Sequence, residues 1–373
     1  MTSNAIRASS EANARTWTRV QLDVNARSER LQRRARANAR ANASAAQGDF
    51  VSTESVEGYI TSTGYACDVK WKGRARRDEG ERALEEARAR RRTYAMRVSY
   101  DGTAYQGFQY QGEVKKTIQS ELERCLMRLT GDDRESLKVG ASGRTDSGVH
   151  ARGQIVHFYA TKPMKDVERA QRAMNGMLPD DIRVHEFWEP HELFHSRFHA
   201  RRKTYWYYLD TRASADVFSR KYAHNVGWKP PDLDVLRRAC SMLVGTMDYR
   251  SFCNTSKDHK KPEYVSTTRT IYRMDVVEEP GDGLVRIEVE GDGFLYRQVR
   301  NMVGALLVVA TGRCSFDDFQ RIIDAKDRKL APMGAPAKGL FLARVDYPEE
   351  VLRPARKGDV AVVAHDDDAS DDD

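Results

Sequence analysis

The densest group of reactive side chains lies between Gly140 and His150, where three glycines, Arg144, Asp146 and His150 share eleven residues. Glycines release the backbone from the usual steric limits, so a tight loop here can project Arg144 and Asp146 into a cleft. A carboxylate beside an arginine is held ionised, which suits a nucleophile or a general base. The same letters also fit an ordinary turn carrying a surface ion pair. The loop therefore gains meaning only from the groups that accompany it.

Three other segments supply such groups. Arg300 sits on a segment, Arg297–Ala310, that is otherwise strongly apolar, and an arginine in that setting needs a partner. Tyr205 opens the run Tyr205 to Tyr208, which suits either the core of a sheet or a flat platform for a nucleobase. Arg197, Arg201, Arg202 and Lys203, with His199 among them, form a basic run suited to phosphate contacts or to a solvated strand entry. A fourth segment, His191 to His195, has the His-Glu-x-x-His spacing of zinc peptidases. That chemistry needs both histidines on one helix face and a third ligand. Pro190 precedes the segment, no glutamate follows Glu192 before Glu263, and His199 has the wrong spacing. No metal site is expected, and no Walker, EF-hand or dinucleotide-binding pattern is present.

The elements that must position these groups follow from periodicity. Alternation and turn signals predict strands over Thr93–Tyr100, Leu137–Val139, Gln154–Tyr159, Ile182–Trp188, Thr204–Leu209, Thr270–Val277, Leu284–Glu290 and Leu340–Tyr347. The two strands that flank Pro280–Gly283 read as a hairpin. Helical spacing marks Thr117–Thr130, with Ile118, Leu122, Leu126 and Leu129 on one face, and then Asp166–Met177, Leu233–Val244, Arg297–Ala310 and Phe316–Ala325. Asp232 is a plausible N-cap, and Ser315 with Asp318 has capping-box spacing. Strands and helices interleave in two comparable halves, so the expected class is α+β with a mostly antiparallel sheet.

Composition narrows the setting. The chain has 373 residues and a formal charge of +7, yet its last eight residues hold six aspartates, so the remainder carries +13. Such a charge fits an anionic partner, of which nucleic acid is the commonest, or simply a solvated basic surface. The most apolar run, Met302–Ala310, is far too short for a membrane span of roughly 18 residues. Five scattered cysteines argue against a disulfide framework and for a reducing compartment. The first fifty residues use arginine and no lysine and are poor in acids, like an organellar transit peptide; a basic RNA-holding arm is the alternative. Plastid or mitochondrion is the favoured location on this reading, with cytoplasm or nucleus as alternatives. The segment Arg82–Arg92 has helical composition, and ordered patterning starts at Thr93. The expected organisation is an extension over 1–92, catalytic halves over 93–200 and 201–348, and an acidic tail over 349–373.

Gly143 to Ala151 closely resembles the signature loop of the TruA-type tRNA pseudouridine synthases, a family whose universal catalytic residue is that loop's aspartate. The likeness continues in order. It includes Tyr100–Thr103 with Gln106–Gln109, Thr117–Gln119 with Leu122 and Glu123, Phe194–Phe198 with Tyr205 and Tyr207, Gly293–Tyr296, Val299–Gly304 and Gly339–Leu342. It spans about Thr93 to Pro348. Phe108 stands where the family usually has tryptophan and Gln298 where methionine is common. The resemblance implies the pseudouridine synthase fold, two similar halves around a mostly antiparallel sheet with a basic RNA-binding cleft. It implies a homodimer acting on tRNA without cofactor or metal. By the same carry-over Asp146 is catalytic and Arg300 pairs with it. Arg144 helps to extrude the target nucleotide, Tyr205 stacks on its uracil, and Phe294 walls the pocket. His150 within Gly148–Ala151 resembles the bacterial branch, which points to positions 38 to 40 of the anticodon stem-loop; other RNA positions, or a tRNA-binding factor without catalysis, are the alternatives.

Overall fold

The computed structural model describes residues 91–254, 266–279 and 283–354. The amino-terminal extension and most of the acidic tail, with the readings placed on them, lie outside the described residues.

Ten strands form one sheet in the order β4-β1-β3-β10-β5-β9-β8-β7, with β2 against β3 and β6 against β5. The first half contributes β1 (Arg92–Tyr100), β2 (Gly140–Ala141), β3 (His150–Ala160) and β4 (Ile182–Trp188), crossed by helices α1 (Ile118–Thr130), α2 (Arg134–Leu137) and α3 (Val167–Met177). The second contributes β5 (Arg202–Asp210), β6 (His224–Asn225), β7 (Gly245–Asp248), β8 (Thr268–Glu278), β9 (Leu284–Gly291) and β10 (Leu340–Asp346). Its helices are α4 (Leu233–Ser241), α5 (Gln298–Ala310), α6 (Phe316–Ala325) and α7 (Glu349–Leu352). Pairing is antiparallel except at β5/β6 and at the seam between halves, where Phe341 and Leu342 of β10 run parallel to His150 and Ala151 of β3. The expected α+β class and mostly antiparallel sheet are present.

The helices form where the sequence supplies caps and one apolar face. Thr117 accepts the Ser120 N–H while Ser120 returns the bond to the Thr117 N–H, closing a capping box. Asp232 caps α4 through the N–H groups of Asp234 and Val235, and Ser315 caps α6 through that of Asp318. Alternation places Tyr94, Met96 and Val98 of β1, Val156 and Phe158 of β3, and Tyr207, Ile287 and Val289 of β5 and β9 in the core beneath the helices. The opposite face carries ion pairs such as Arg97–Glu186 and Arg286–Glu288. Between Val98 and Tyr100 the β1/β3 register slips, because Arg152 and Gly153 bulge. The bulge turns Gln154 onto the helix-covered face.

Some expected elements differ. Leu137 does not begin a strand but ends the turn of α2: Asp133 caps that turn through Ser136 N–H, and Lys138 then takes a left-handed φ of 42°. Val139 follows as a connection, and the strand starts at Gly140. β3 starts four residues before Gln154, directly out of the loop. The chain also stays folded past Pro348, where α7 buries Val351 and the Val351 carbonyl accepts the His191 N–H. The boundary expected at 349 therefore falls inside the folded unit.

Helix α5 is buried along most of its length, and one position shows why its sequence is constrained. A Cβ on Gly304 would lie 2.1 Å from the Met333 carbonyl oxygen. The backbone of 333–335 thus lies directly on the helix, close enough for Ala335 N–H to donate to the Arg300 carbonyl at 2.8 Å. Gly304→Ala should therefore destabilise by about 1–3 kcal/mol through overpacking, although alanine is the better helix former. A denaturant titration reads the sign; a raised midpoint would show that the 333–335 segment moves aside freely.

Candidate active site

Asp146 stands in the loop between β2 and β3, above the seam. The loop is fixed at several points. Val149 N–H donates to the Asp146 carbonyl at 3.1 Å, closing a turn in which Gly148 has φ +77°, a value that glycine adopts without strain. Gln154, turned inward by the bulge, donates to the Gly143 carbonyl at 2.7 Å and accepts the Ser142 hydroxyl at 2.5 Å. Tyr100 and Thr145 share a hydroxyl–hydroxyl bond of 2.8 Å, and Thr145 carbonyl accepts the Phe108 N–H at 3.0 Å. Phe108 is almost wholly buried and so serves packing beside the loop.

The carboxylate meets cations from the other half of the molecule. Arg300 Nη1 lies 3.1 Å from Asp146 Oδ2, and Arg297 Nε lies 3.7 Å from the same oxygen. Asp146 and Arg300 are both largely buried, with side-chain exposures of 21% and 16%. Arg300 Nε donates to the Ala335 carbonyl at 2.8 Å, so the guanidinium bridges the carboxylate and the 333–335 segment. Arg297 is the N-cap residue of α5 and Arg300 lies in its first turn, where unpaired N–H groups also favour a negative charge.

Tyr205, on the core face of β5, is 8% exposed and meets Phe294 edge-on, with centroids 5.1 Å apart. Burial, with smaller contributions from Tyr100 and the Asp146 charge, raises its pKa, so the phenol stays protonated. It can wall a pocket or donate a hydrogen bond, but it is no base near neutrality. Arg144 is exposed on the loop, and its pKa is lowered by partial burial and by Arg197.

The basic run divides between faces. Lys203 lies on the Tyr205 face, where its ammonium donates to the Ser142 carbonyl at 2.7 Å. Arg202 lies on the other face, paired with Glu290 at 3.2 Å and set over the Tyr272 ring. Arg201 is exposed just before β5, and its N–H donates to the Asp346 carbonyl. His150 is buried away from Asp146: its Nδ1 accepts the Gly102 N–H, its Nε2 faces the Lys221 carbonyl, and its ring stacks on Phe341. Burial lowers its pKa and keeps it neutral, against the opposing pull of Asp101. His191 and His195 lie in turns rather than on one helix, and the described residues hold no group of three or more potential metal ligands.

Arg297 was not singled out as a site residue from sequence. Its signal was faint: a second arginine three positions before Arg300, which one turn of helix carries to the same side. Its left-handed φ of 61°, unusual for a side chain with a Cβ, is visible only in the fold.

A carboxylate paired with arginines, on the same side of the sheet seam as the Tyr205–Phe294 pair, is an arrangement capable of nucleophilic or acid–base chemistry. Comparison gives that chemistry a family. The family described as tRNA pseudouridine synthase matches residues 96–199 and 239–348. The chain is 43% identical over 250 residues to tRNA pseudouridine synthase A of an Exiguobacterium species, covering 67% of this chain and 96% of that protein. It is 41% identical over 250 residues to the Bacillus subtilis protein of that name (67% and 97%), and 38% identical over 257 residues to tRNA pseudouridine synthase A 1 of Protochlamydia amoebophila (69% and 97%). The chain belongs to the tRNA pseudouridine synthase family, in its TruA-type branch, and is an isomerase.

Arg300→Lys tests the bridge. Lysine keeps the charge but cannot hold the Asp146 carboxylate and the Ala335 carbonyl with one planar fork. The single-turnover rate of pseudouridine formation should fall about 100-fold, the scale of a small misplacement of a catalytic group, with the melting temperature little changed. A near wild-type rate would show that charge alone suffices.

Proposed function

We propose that this isomerase converts uridine to pseudouridine at positions 38 to 40 of the tRNA anticodon stem-loop, acting as a homodimer, with Asp146 as its catalytic carboxylate. The observation that carries the reading is the Asp146–Arg300 pair set beside Tyr205 and Phe294. The preference for the anticodon stem-loop rests on the likeness of Gly148–Ala151 to the bacterial branch of the family.

The reaction breaks the bond between uracil N1 and the sugar C1′, turns the base, and joins C5 to C1′. The hydrogen leaves C5 and N1 gains one, so atoms balance with no redox partner and no energy donor. Asp146 acts on the nucleoside as a nucleophile toward sugar or base, or as the base that removes a sugar proton. Arg300 and Arg297 pair with the carboxylate and aim it. The target must leave the base stack to reach this loop, and Arg144, exposed on the loop, fills or holds the gap. Tyr205 and Phe294 offer flat apolar surface to the turning uracil and keep water from it.

Asp146→Asn keeps the shape and removes the charge. Pseudouridine formation in an anticodon stem-loop RNA should drop below detection in single turnover, while RNA affinity and its salt dependence stay close to wild type, since phosphate contacts dominate both. The variant's fold is checked first, because Arg300 loses its charged partner. Conversion at a near wild-type rate by the folded variant would remove Asp146 from the chemistry. Mapping the product within a full tRNA decides the position, and sedimentation of the free protein decides the dimer.

A further inference from the structure

The cations on the Asp146 side are poorly matched by acids. Lys203 donates to the carbonyl of Ser142, where the catalytic loop begins, and no carboxylate of the described residues lies within ion-pair distance of its ammonium. The charged groups that face it come from three elements: Arg197 from the turn before β5, Arg269 from β8, and Asp292 just after β9. Asp292 is partly committed, accepting the Thr270 N–H at 3.1 Å. Arg144 joins the group through Arg197, whose charge it feels. Arg144 and Arg197 show no acceptor for their guanidinium groups among the described residues. Arg269 is anchored on the strand side by donating to the Ser266 and Thr268 carbonyls. Cations that face one another in this way repel, and an anion would relieve that repulsion.

We propose that Arg144, Arg197, Lys203 and Arg269 seat one backbone phosphate beside the target nucleotide, and that Lys203, by bridging this phosphate and the Ser142 carbonyl, makes RNA binding tighten the Asp146 loop. The inference rests on the RNA-modifying function proposed above and adds to it a positioning residue and a phosphate site. Gln154 already holds the next carbonyl, that of Gly143. With Lys203 charged, two successive carbonyls at the loop entry are pinned. A neutral amine would make the weaker bond, since charge assistance roughly doubles a hydrogen bond's strength.

The protonation of Lys203 provides a signature. Burial, then the charges of Arg197 and Arg269, push its pKa down to about 8 in the free protein. A phosphate in the seat raises it again. The complex then holds a proton that the free protein gives up as pH rises through about 8, so affinity should weaken there by up to about tenfold per pH unit. Other groups nearby titrate elsewhere: His195 is pushed down to about 4 and is neutral throughout, and burial pushes the Cys253 thiol up.

The test measures affinity of the full-length protein for an anticodon stem-loop RNA between about pH 7 and about pH 9, at two salt concentrations, together with the single-turnover rate at saturating RNA. Wild type should lose about tenfold in affinity over the upper pH unit. Lys203→Met should bind more weakly at the low end, lose the pH dependence, show a salt slope shallower by about one, and convert more slowly even when saturated. Lys203→Arg should bind without the decline, because arginine stays charged. Arg269→Gln, which leaves Lys203 in place, should move the break to higher pH by removing a charge that depresses it. The proposal is overturned if Lys203→Met keeps the wild-type pH and salt profiles, whatever its rate, or if Arg269→Gln leaves the break unmoved. Wild type that shows the pH and salt signature but converts no uridine would instead sink the proposed function and leave the phosphate seat standing.

Discussion

A single ion pair, Asp146 with Arg300, sets the terms for the rest of this molecule. Its partners are 154 residues apart in the chain and come from different halves. Removing a carboxylate from water costs several kcal/mol, which is recovered only where a cation meets it in good geometry. That requirement reaches outward. Arg300 must be aimed, so its Nε is tied to the Ala335 carbonyl. The 333–335 segment must lie on α5, so position 304 has no room for a side chain. The loop that bears Asp146 must be equally fixed, which Gln154, Tyr100 and the Gly148 turn accomplish. The place of one carboxylate thus constrains residues of β1, β3, α5 and the 333–335 segment.

The sheet makes that convergence possible through two irregularities. The β3 bulge at Arg152–Gly153 changes which face the following residues occupy. Without it Gln154 would point to the face of Trp206 and Arg286, and the Gly143 carbonyl and the Ser142 hydroxyl would lose their partner. The parallel step at the seam is the other. Pairing β10 with both β3 and β5 brings the end of the first half within reach of Tyr205 and α5 of the second. The opposite face holds a separate cleft of about 880 Å³ lined by His150, Trp206 and Phe341 among others. It is aromatic, but its lining holds more acids than bases, among them Asp101, Asp180, Asp181, Asp216 and Glu279, and Asp146 is not on it.

Much of this was legible in the sequence for physical reasons that can be named. An arginine among apolar helical residues implied a partner, and Arg300 has one. The aromatic run Tyr205–Tyr208 read as sheet, and Tyr205 lies buried on the core face of β5 with Phe294 edge-on to it. Local rules located the caps at Asp232 and Ser315 because a cap is decided within four residues. What stayed hidden was non-local. The basic run from Arg197 to Lys203 looked uniform, but strand alternation sends Arg202 to Glu290 on one face and Lys203 to the catalytic loop on the other. Leu137–Val139 read as strand because its apolar residues alternate, whereas the Asp133 cap and the left-handed Lys138 decide the backbone there. The αL conformation of Arg297 has no sequence signal short of the contacts that impose it.

That left-handed residue also bears on how the site keeps its charge balanced. Arg297 and Arg300 approach the same carboxylate oxygen, yet differently. Arg300 is largely buried and bonded twice, whereas Arg297 is 42% exposed, 3.7 Å away, and set over the Tyr296 ring. An exposed cation at that distance adds little to stability, so its strained backbone is not explained by the ion pair alone. The strain is better understood as the consequence of ending the 292–297 connection where α5 must begin for Arg300 to reach Asp146. The helix start is dictated by the Asp146–Arg300 pair, and the residue before it takes whatever conformation closes the chain. The Asp146–Arg300 pair and the left-handed backbone at Arg297 are then two results of one constraint, the fixed place of a single carboxylate.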